Sequence, residues 1–175
     1  MVNAIPEKAV SVESNHPLYI LYTSGTTGKP KGIYRGTGDT AVGLMISLEY
    51  GFGLTSQSMM FATSDFGWVV GHSYMVYGPL LFGATSIIYE GKPIGTPDVG
   101  AYFKIVEKYK VDILYSSPTA IRSIRKEDPN AEKITKYDLT SLKVVGMVGE
   151  RTDVHTYDYL KKIMPKDCLY NDTYW

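Results

Sequence analysis

Residues 22–32 read Tyr-Thr-Ser-Gly-Thr-Thr-Gly-Lys-Pro-Lys-Gly, so four hydroxyls, three glycines and two lysines follow the apolar run 18–22. Gly25, Gly28 and Gly32 permit positive φ and close backbone approach, which lets consecutive N–H groups point at one anion. The hydroxyls of Thr23, Ser24, Thr26 and Thr27 add donors, and Lys29 and Lys31 offset negative charge. This is a phosphate-binding composition, yet it is not the P-loop of nucleotide triphosphatases. That motif needs glycine where Thr23 stands and a hydroxyl where Pro30 follows Lys29. Gly36 and Gly38 do not continue into a dinucleotide fingerprint either, because Ala41 occupies the third glycine position. Composition alone leaves two readings, a phosphate cradle or a mobile loop with two solvated lysines. The position directly after an apolar run favours the cradle.

Other reactive side chains are sparse. His16 and His155 have no companions at ligand spacing, so no metal site is expected. The single cysteine, Cys168, cannot form an internal disulfide, which favours a reducing compartment, and it reads as one more small apolar core residue.

The elements that must carry the loop alternate from end to end. Apolar runs at 18–22, 58–62, 84–89, 111–115, 143–148 and 168–170 read as strands, and helical spacing appears at 39–50, 71–82, 98–110, 118–126 and 153–164. In the third helical segment Asp98 can cap, while Val99, Tyr102, Phe103, Val106 and Tyr109 share one face. The pattern predicts an α/β fold, a mostly parallel sheet with helices on both faces and right-handed crossovers. Nearly every strand is followed by a polar or glycine-bearing segment: 23–28, 63–68, 90–93, 116–119, 149–153 and 171–175. In parallel sheets the carboxyl ends of the strands share one edge, where ligands bind, so these six segments should converge. Residues 127–136 read as a surface loop.

Bulk properties limit the partners. The 175 residues suit one large domain or part of a bigger one, and 44% hydrophobic residues can form a core. Eighteen basic against eighteen acidic residues, with no block of like charges, give no sign of a nucleic-acid or polybasic membrane surface. The start carries no secretory pattern and no segment has the length to span a bilayer, so the chain reads as soluble and intracellular, with small-molecule partners.

Residues 23–32 resemble the signature loop of the adenylate-forming superfamily of AMP-dependent synthetases and ligases, which includes acyl-CoA synthetases, luciferases and peptide-synthetase adenylation domains. Segments 64–74, 77–80, 89–93, 117–122 and 171–175 are similar to short-chain acyl-CoA synthetases that activate acetate or propionate, and 68–71, 91–98 and 149–153 are closer to the propionate-activating branch. The resemblance covers 17–175, leaving 1–16 as an N-terminal segment. It implies part of the large N-terminal domain of these enzymes, with an acid-thiol ligase activity that uses ATP, magnesium and CoA.

The resemblance also implies roles. Thr23, Ser24, Gly25, Thr26, Thr27 and Gly28 would hold the ATP phosphates, with Lys29 as the catalytic cation. Gly149, Glu150 and Arg151 would lie along the adenine, although acetate enzymes usually carry proline where Arg151 stands, and Asp172, Thr173 and Tyr174 would reach the nucleotide and α-phosphate. Trp175 would close an acyl pocket walled by Val69, Val70 and Val148. Acetate enzymes carry threonine at the position of Val70 and asparagine at that of Ile94, and the loss of a hydroxyl suits one more methylene. His72 reads as structural, held within a turn at residues 71–73, because a short carboxylic acid is already an anion at neutral pH and needs no general base.

The family's magnesium-binding glutamate is expected just beyond Trp175, and its C-terminal domain with a catalytic lysine is not represented, so the chain is expected to be a fragment that does not turn over alone. Either the cytoplasm or the mitochondrial matrix would suit it. Two other readings stay open: an adenylating enzyme with a non-CoA acceptor, and a nucleotide-binding module without catalysis.

Overall fold

The computed structural model describes residues 5–24 and 28–174. The chain divides into two compact units, Met1–Gly43 and Leu44–Trp175, with the division falling inside one helix.

In the first unit β1 (Pro17–Thr23) pairs antiparallel with β2 (Lys31–Gly36), from Pro17 opposite Gly36 to Thr23 opposite Lys31. This corrects the sequence expectation that run 18–22 is a strand of the parallel sheet. Its apolar side chains are not covered on both sides, with Ile20 58% and Tyr22 69% exposed. β1 is therefore one arm of an antiparallel pair and is not followed by a helix as a parallel strand would be. The ends of the hairpin are tied locally: Thr37 donates to the His16 carbonyl from its N–H at 2.9 Å and its hydroxyl at 2.8 Å. Helix α1 (Thr37–Phe52) begins here and continues into the second unit.

The second unit is built on a five-stranded, wholly parallel sheet in the order β4-β3-β5-β6-β7. Its strands are β3 (Met59–Ala62), β4 (Thr85–Ile87), β5 (Ile113–Ser116), β6 (Val144–Met147) and β7 (Leu169–Asp172). Successive residues of a strand point to opposite faces, and in the central strands β3, β5 and β6 both faces are buried. Phe61, Leu114, Val145 and Met147 pack against α3 (Ala101–Tyr109), α4 (Pro118–Glu127) and α5 (Val154–Ile163), chiefly on Tyr102, Phe103, Val106, Ile121, Ile124, Tyr159 and Leu160. Met60, Ala62, Ile113, Tyr115 and Val144 pack the other way, against Leu48 and Phe52 of α1 and against Val70 and Met75. The α/β reading with helices on both faces holds for this unit.

Local chemistry sets the helix ends. Ser117 caps α4 by accepting from the Ala120 N–H at 3.2 Å, with Pro118 in the first turn, and Asp153 caps α5 by accepting from the Thr156 N–H at 3.0 Å. Helix α3 starts later than the expected 98: Asp98 accepts from the Gly100 N–H at 2.7 Å, in the turn ahead of the helix. Tyr109, expected on the buried face, is 45% exposed at the last turn, where Lys110 adopts φ 51° and ends the helix.

The expected helix 71–82 is a wide π-helix over Gly71–Tyr77 followed by the short α2 (Gly78–Leu81). His72 thus sits in the first turn of that π-helix rather than in an isolated turn. Glycine is needed at 71, because a Cβ there would lie 2.3 Å from the Asp65 carbonyl oxygen.

Segment 127–136 is also not a plain surface loop. Ala131 and Ile134 are buried in the core, and the buried Asp128 organises the segment by accepting from the N–H groups of Lys133 at 2.8 Å and Ile134 at 3.2 Å. The Tyr159 hydroxyl donates to the Asp128 carbonyl at 2.9 Å. Cys168 packs half-buried against the same core, and burial pushes its thiol up to about 11.

Candidate functional site

Because β3 to β7 are parallel, their carboxyl ends lie along one edge of the sheet, and the segments that leave β3, β5, β6 and β7 are stitched together there. The Thr63 N–H, just after β3, donates to the Tyr115 carbonyl at 2.8 Å, and its hydroxyl donates to the Ser116 hydroxyl at 2.7 Å. The Val148 N–H, just after β6, reaches the Ser116 carbonyl at 3.0 Å. The Thr173 N–H and hydroxyl both donate to the Met147 carbonyl at 2.8 Å.

A cavity of about 630 Å³ opens at the β6 and β7 end of this edge, lined by Gly149, Glu150, Arg151, Asp172, Thr173 and Tyr174. These are the six residues that the sequence resemblance links to the adenine and α-phosphate. The backbone turns off β6 at Gly149 with φ 99°, a conformation that favours glycine. Glu150 is then fixed from α4: its carboxylate accepts from the Thr119 hydroxyl and from Arg122 Nη2, the latter at 2.6 Å. The Arg122 hydrogen bond, followed by that of Thr119, holds the Glu150 carboxyl below its ordinary range. Arg122 also donates from Nη1 to Asp153 at 3.2 Å, so one guanidinium joins the turn after β6 to the cap of α5. On the β7 side, Asp172 accepts from the Thr152 N–H and the Thr152 hydroxyl, both at 3.1 Å. Each carboxylate is thereby oriented, and its remaining lone pairs can face a ligand.

A second cavity, of about 520 Å³, shares Gly149 with the first. Val70 and Val148, each 5% exposed, line it together with Trp68, Tyr115 and the polar group Thr63, Ser64, Asp65 and Ser116. Val69 does not line it and packs half-buried on the core. Trp175 lies outside the described residues. Mixed apolar walls with a few hydroxyls can hold a small amphiphilic acyl group beside a polar one.

The phosphate-loop candidates belong to the first unit. Thr23 ends β1, Ser24 follows it, Gly28 has φ 81°, and Lys29 is exposed; Gly25, Thr26 and Thr27 lie outside the described residues. Among the described residues no group of three or more His, Cys, Asp or Glu side chains could hold a metal ion.

The sequence marks segments 63–68, 116–119 and 149–153 as polar strand ends and run 111–115 as a strand, but it assigns no role to Thr63, Ser116, Thr119, Arg122, Thr152 or Tyr115. The one available signal for Tyr115 is a phenol inside an apolar strand, which needs a hydrogen-bond partner once buried.

The chain belongs to the AMP-binding enzyme family, whose model matches residues 2–175. Over 175 residues it is 50% identical to mouse acyl-CoA synthetase short-chain family member 3, mitochondrial, covering the whole of this chain and 25% of that protein. It is 49% identical over 164 residues to acyl-CoA synthetase short-chain family member B, mitochondrial, of Dictyostelium discoideum, covering 94% of this chain and 24% of that protein. Acetyl-coenzyme A synthetase 2 of Candida albicans is 42% identical over 167 residues, covering 95% of this chain and 24% of that protein. The chain thus spans about a quarter of the length of these relatives. Among the described residues no helix is long and apolar enough to cross a membrane.

Proposed function

We propose that this chain forms the nucleotide- and acyl-binding layer of an ATP-dependent short-chain acyl-CoA synthetase that activates propionate or acetate. The observation that carries the reading is the junction at Gly149: six residues linked to AMP by resemblance line one cavity, and Val70 and Val148 line the cavity next to it. In the proposed reaction the carboxylate attacks the α-phosphate of ATP, pyrophosphate leaves, and the acyl-adenylate passes its acyl group to the CoA thiol with release of AMP. Two anions must meet, so the protein's contribution is positioning and charge neutralisation. Gly149, Glu150 and Arg151 would flank the adenine, Asp172, Thr173 and Tyr174 the ribose phosphate, and Lys29 with the N–H groups and hydroxyls of 23–28 the outgoing phosphates. Magnesium supplies charge neutralisation when bound.

Val70 presents methyl groups where acetate enzymes have a hydroxyl, and this supports propionate over acetate. One methylene in an apolar pocket is worth about 1–3 kcal/mol. The word mitochondrial in the names of the mouse and Dictyostelium relatives supports placing this protein in that organelle.

Calorimetric titration of the chain with AMP, then with alkyl-AMP esters that mimic propionyl- and acetyl-adenylate, tests the reading. AMP should bind, and the propionyl mimic should bind about tenfold more tightly than the acetyl mimic. Failure of all three to bind overturns the proposal; equal binding of the two mimics removes the propionate preference alone.

A further inference from the structure

We infer that Tyr115 is a positioning residue for the nucleotide site, its phenol hydroxyl reaching across β6 to hold Thr173 in place. The inference rests on the reading of Thr173 as part of that site. Tyr115 lies in β5 and Thr173 directly follows β7, and β6 runs between those strands, so the two backbones are about 10 Å apart at the usual strand spacing. Their side chains nevertheless meet, with the two hydroxyl oxygens 2.7 Å apart.

The bridge is possible because the β6 residue in register with Tyr115 is Gly146. A Cβ at Gly146 would lie 2.7 Å from Tyr115 Cδ2 and 2.6 Å from Phe52 Cε1, so the ring occupies the space a side chain would fill. The phenol has little freedom to move elsewhere. Its ring is 2% exposed and held edge-on by Phe52, at 5.0 Å between centroids, and by Tyr74, at 4.9 Å.

Donor and acceptor roles follow from the neighbours. The Thr173 hydroxyl donates its only proton to the Met147 carbonyl, so toward Tyr115 it can only accept. Tyr115 must therefore donate, and burial raises its pKa far above the ordinary range, keeping that proton in place. Thr173 is thus held by a strand-end carbonyl and by a ring fixed in the core, while its backbone carries Asp172 and Tyr174 into the first cavity. Tyr115 is also among the residues that line the second cavity.

The test is AMP titration of the full chain as wild type, Tyr115→Phe, Thr173→Val and the double variant, with thermal unfolding as a check. Tyr115→Phe keeps the ring and should weaken AMP binding about three- to tenfold. The double variant should be no weaker than Thr173→Val within about twofold, because both changes cut one connection. Thr173→Ser keeps a hydroxyl that can accept and should weaken AMP binding less than Thr173→Val does. Tyr115→Phe binding within twofold of wild type, or single effects that multiply in the double variant, overturns the inference. Should Tyr115→Phe not fold, equal AMP affinities of Thr173→Val and Thr173→Ser overturn it. Wild-type chain that binds no AMP overturns the site reading and this inference with it.

Discussion

Arg122 Nη2 in α4 and Glu150 Oε1 after β6 lie 2.6 Å apart, and this contact ties the turn that carries Gly149, Glu150 and Arg151 to the helix beneath it. Arg122 and Glu150 have side chains 34% and 41% exposed, so solvent screens the pair. Its value is orientation of the turn more than stability.

The pair sets a pH signature. Hydrogen bonds from Arg122 and then Thr119 lower the Glu150 pKa below its ordinary 4.5. A depressed carboxyl contributes stability above the unfolded-state value and loses it as pH falls through the folded value. Arg122→Met should therefore cost about 1 kcal/mol or less at neutral pH, and its deficit relative to wild type should shrink as pH drops below about 4.5. Urea unfolding at a series of pH values reads this directly. A deficit that grows on acidification would contradict the assignment.

Asp128 offers a larger effect. Its carboxylate accepts from two backbone N–H groups in a segment where Ala131 and Ile134 are buried. Asp128→Ala leaves those donors without their partner and should cost about 2–4 kcal/mol in urea unfolding. Asp128→Asn keeps one oxygen acceptor and should cost clearly less. Equal losses would show that side-chain volume, not hydrogen bonding, organises the segment.

Lys29 is proposed to face the outer phosphates of ATP. If it offsets the charge of the outer phosphates, Lys29→Ala should weaken ATP binding about tenfold and leave AMP binding within twofold of wild type. Calorimetry with both nucleotides decides it; an equal loss for ATP and AMP would remove Lys29 from that role.

The parts of the fold visible in the sequence are those with local causes. Apolar runs covered on two sides mark β3, β5 and β6, Ser117 with Pro118 marks the start of α4, and Asp153 marks the start of α5. Run 18–22 carries the same apolar signal, yet its partner is β2, whose Lys31, Arg35 and two glycines hide a strand in polar composition. Segment 127–136 misleads for the opposite reason: charged residues surround two buried apolar ones, and the buried aspartate ahead of them looks solvated in one dimension. At the site, strand-end polarity located the edge but not its wiring. The link from Tyr115 to Thr173 spans 58 residues and depends on a glycine in a third strand, and no local pattern encodes that.

The central claim is that the cavity between the β6 and β7 ends receives the nucleotide. Amide shift changes on adding AMP to the isotope-labelled chain test it most directly. The account expects the largest changes at Gly149, Glu150, Arg151, Asp172, Thr173 and Tyr174. Saturable binding with those amides unmoved, and the changes instead around the groove of Arg125, His155, Lys161 and Lys162, would contradict it.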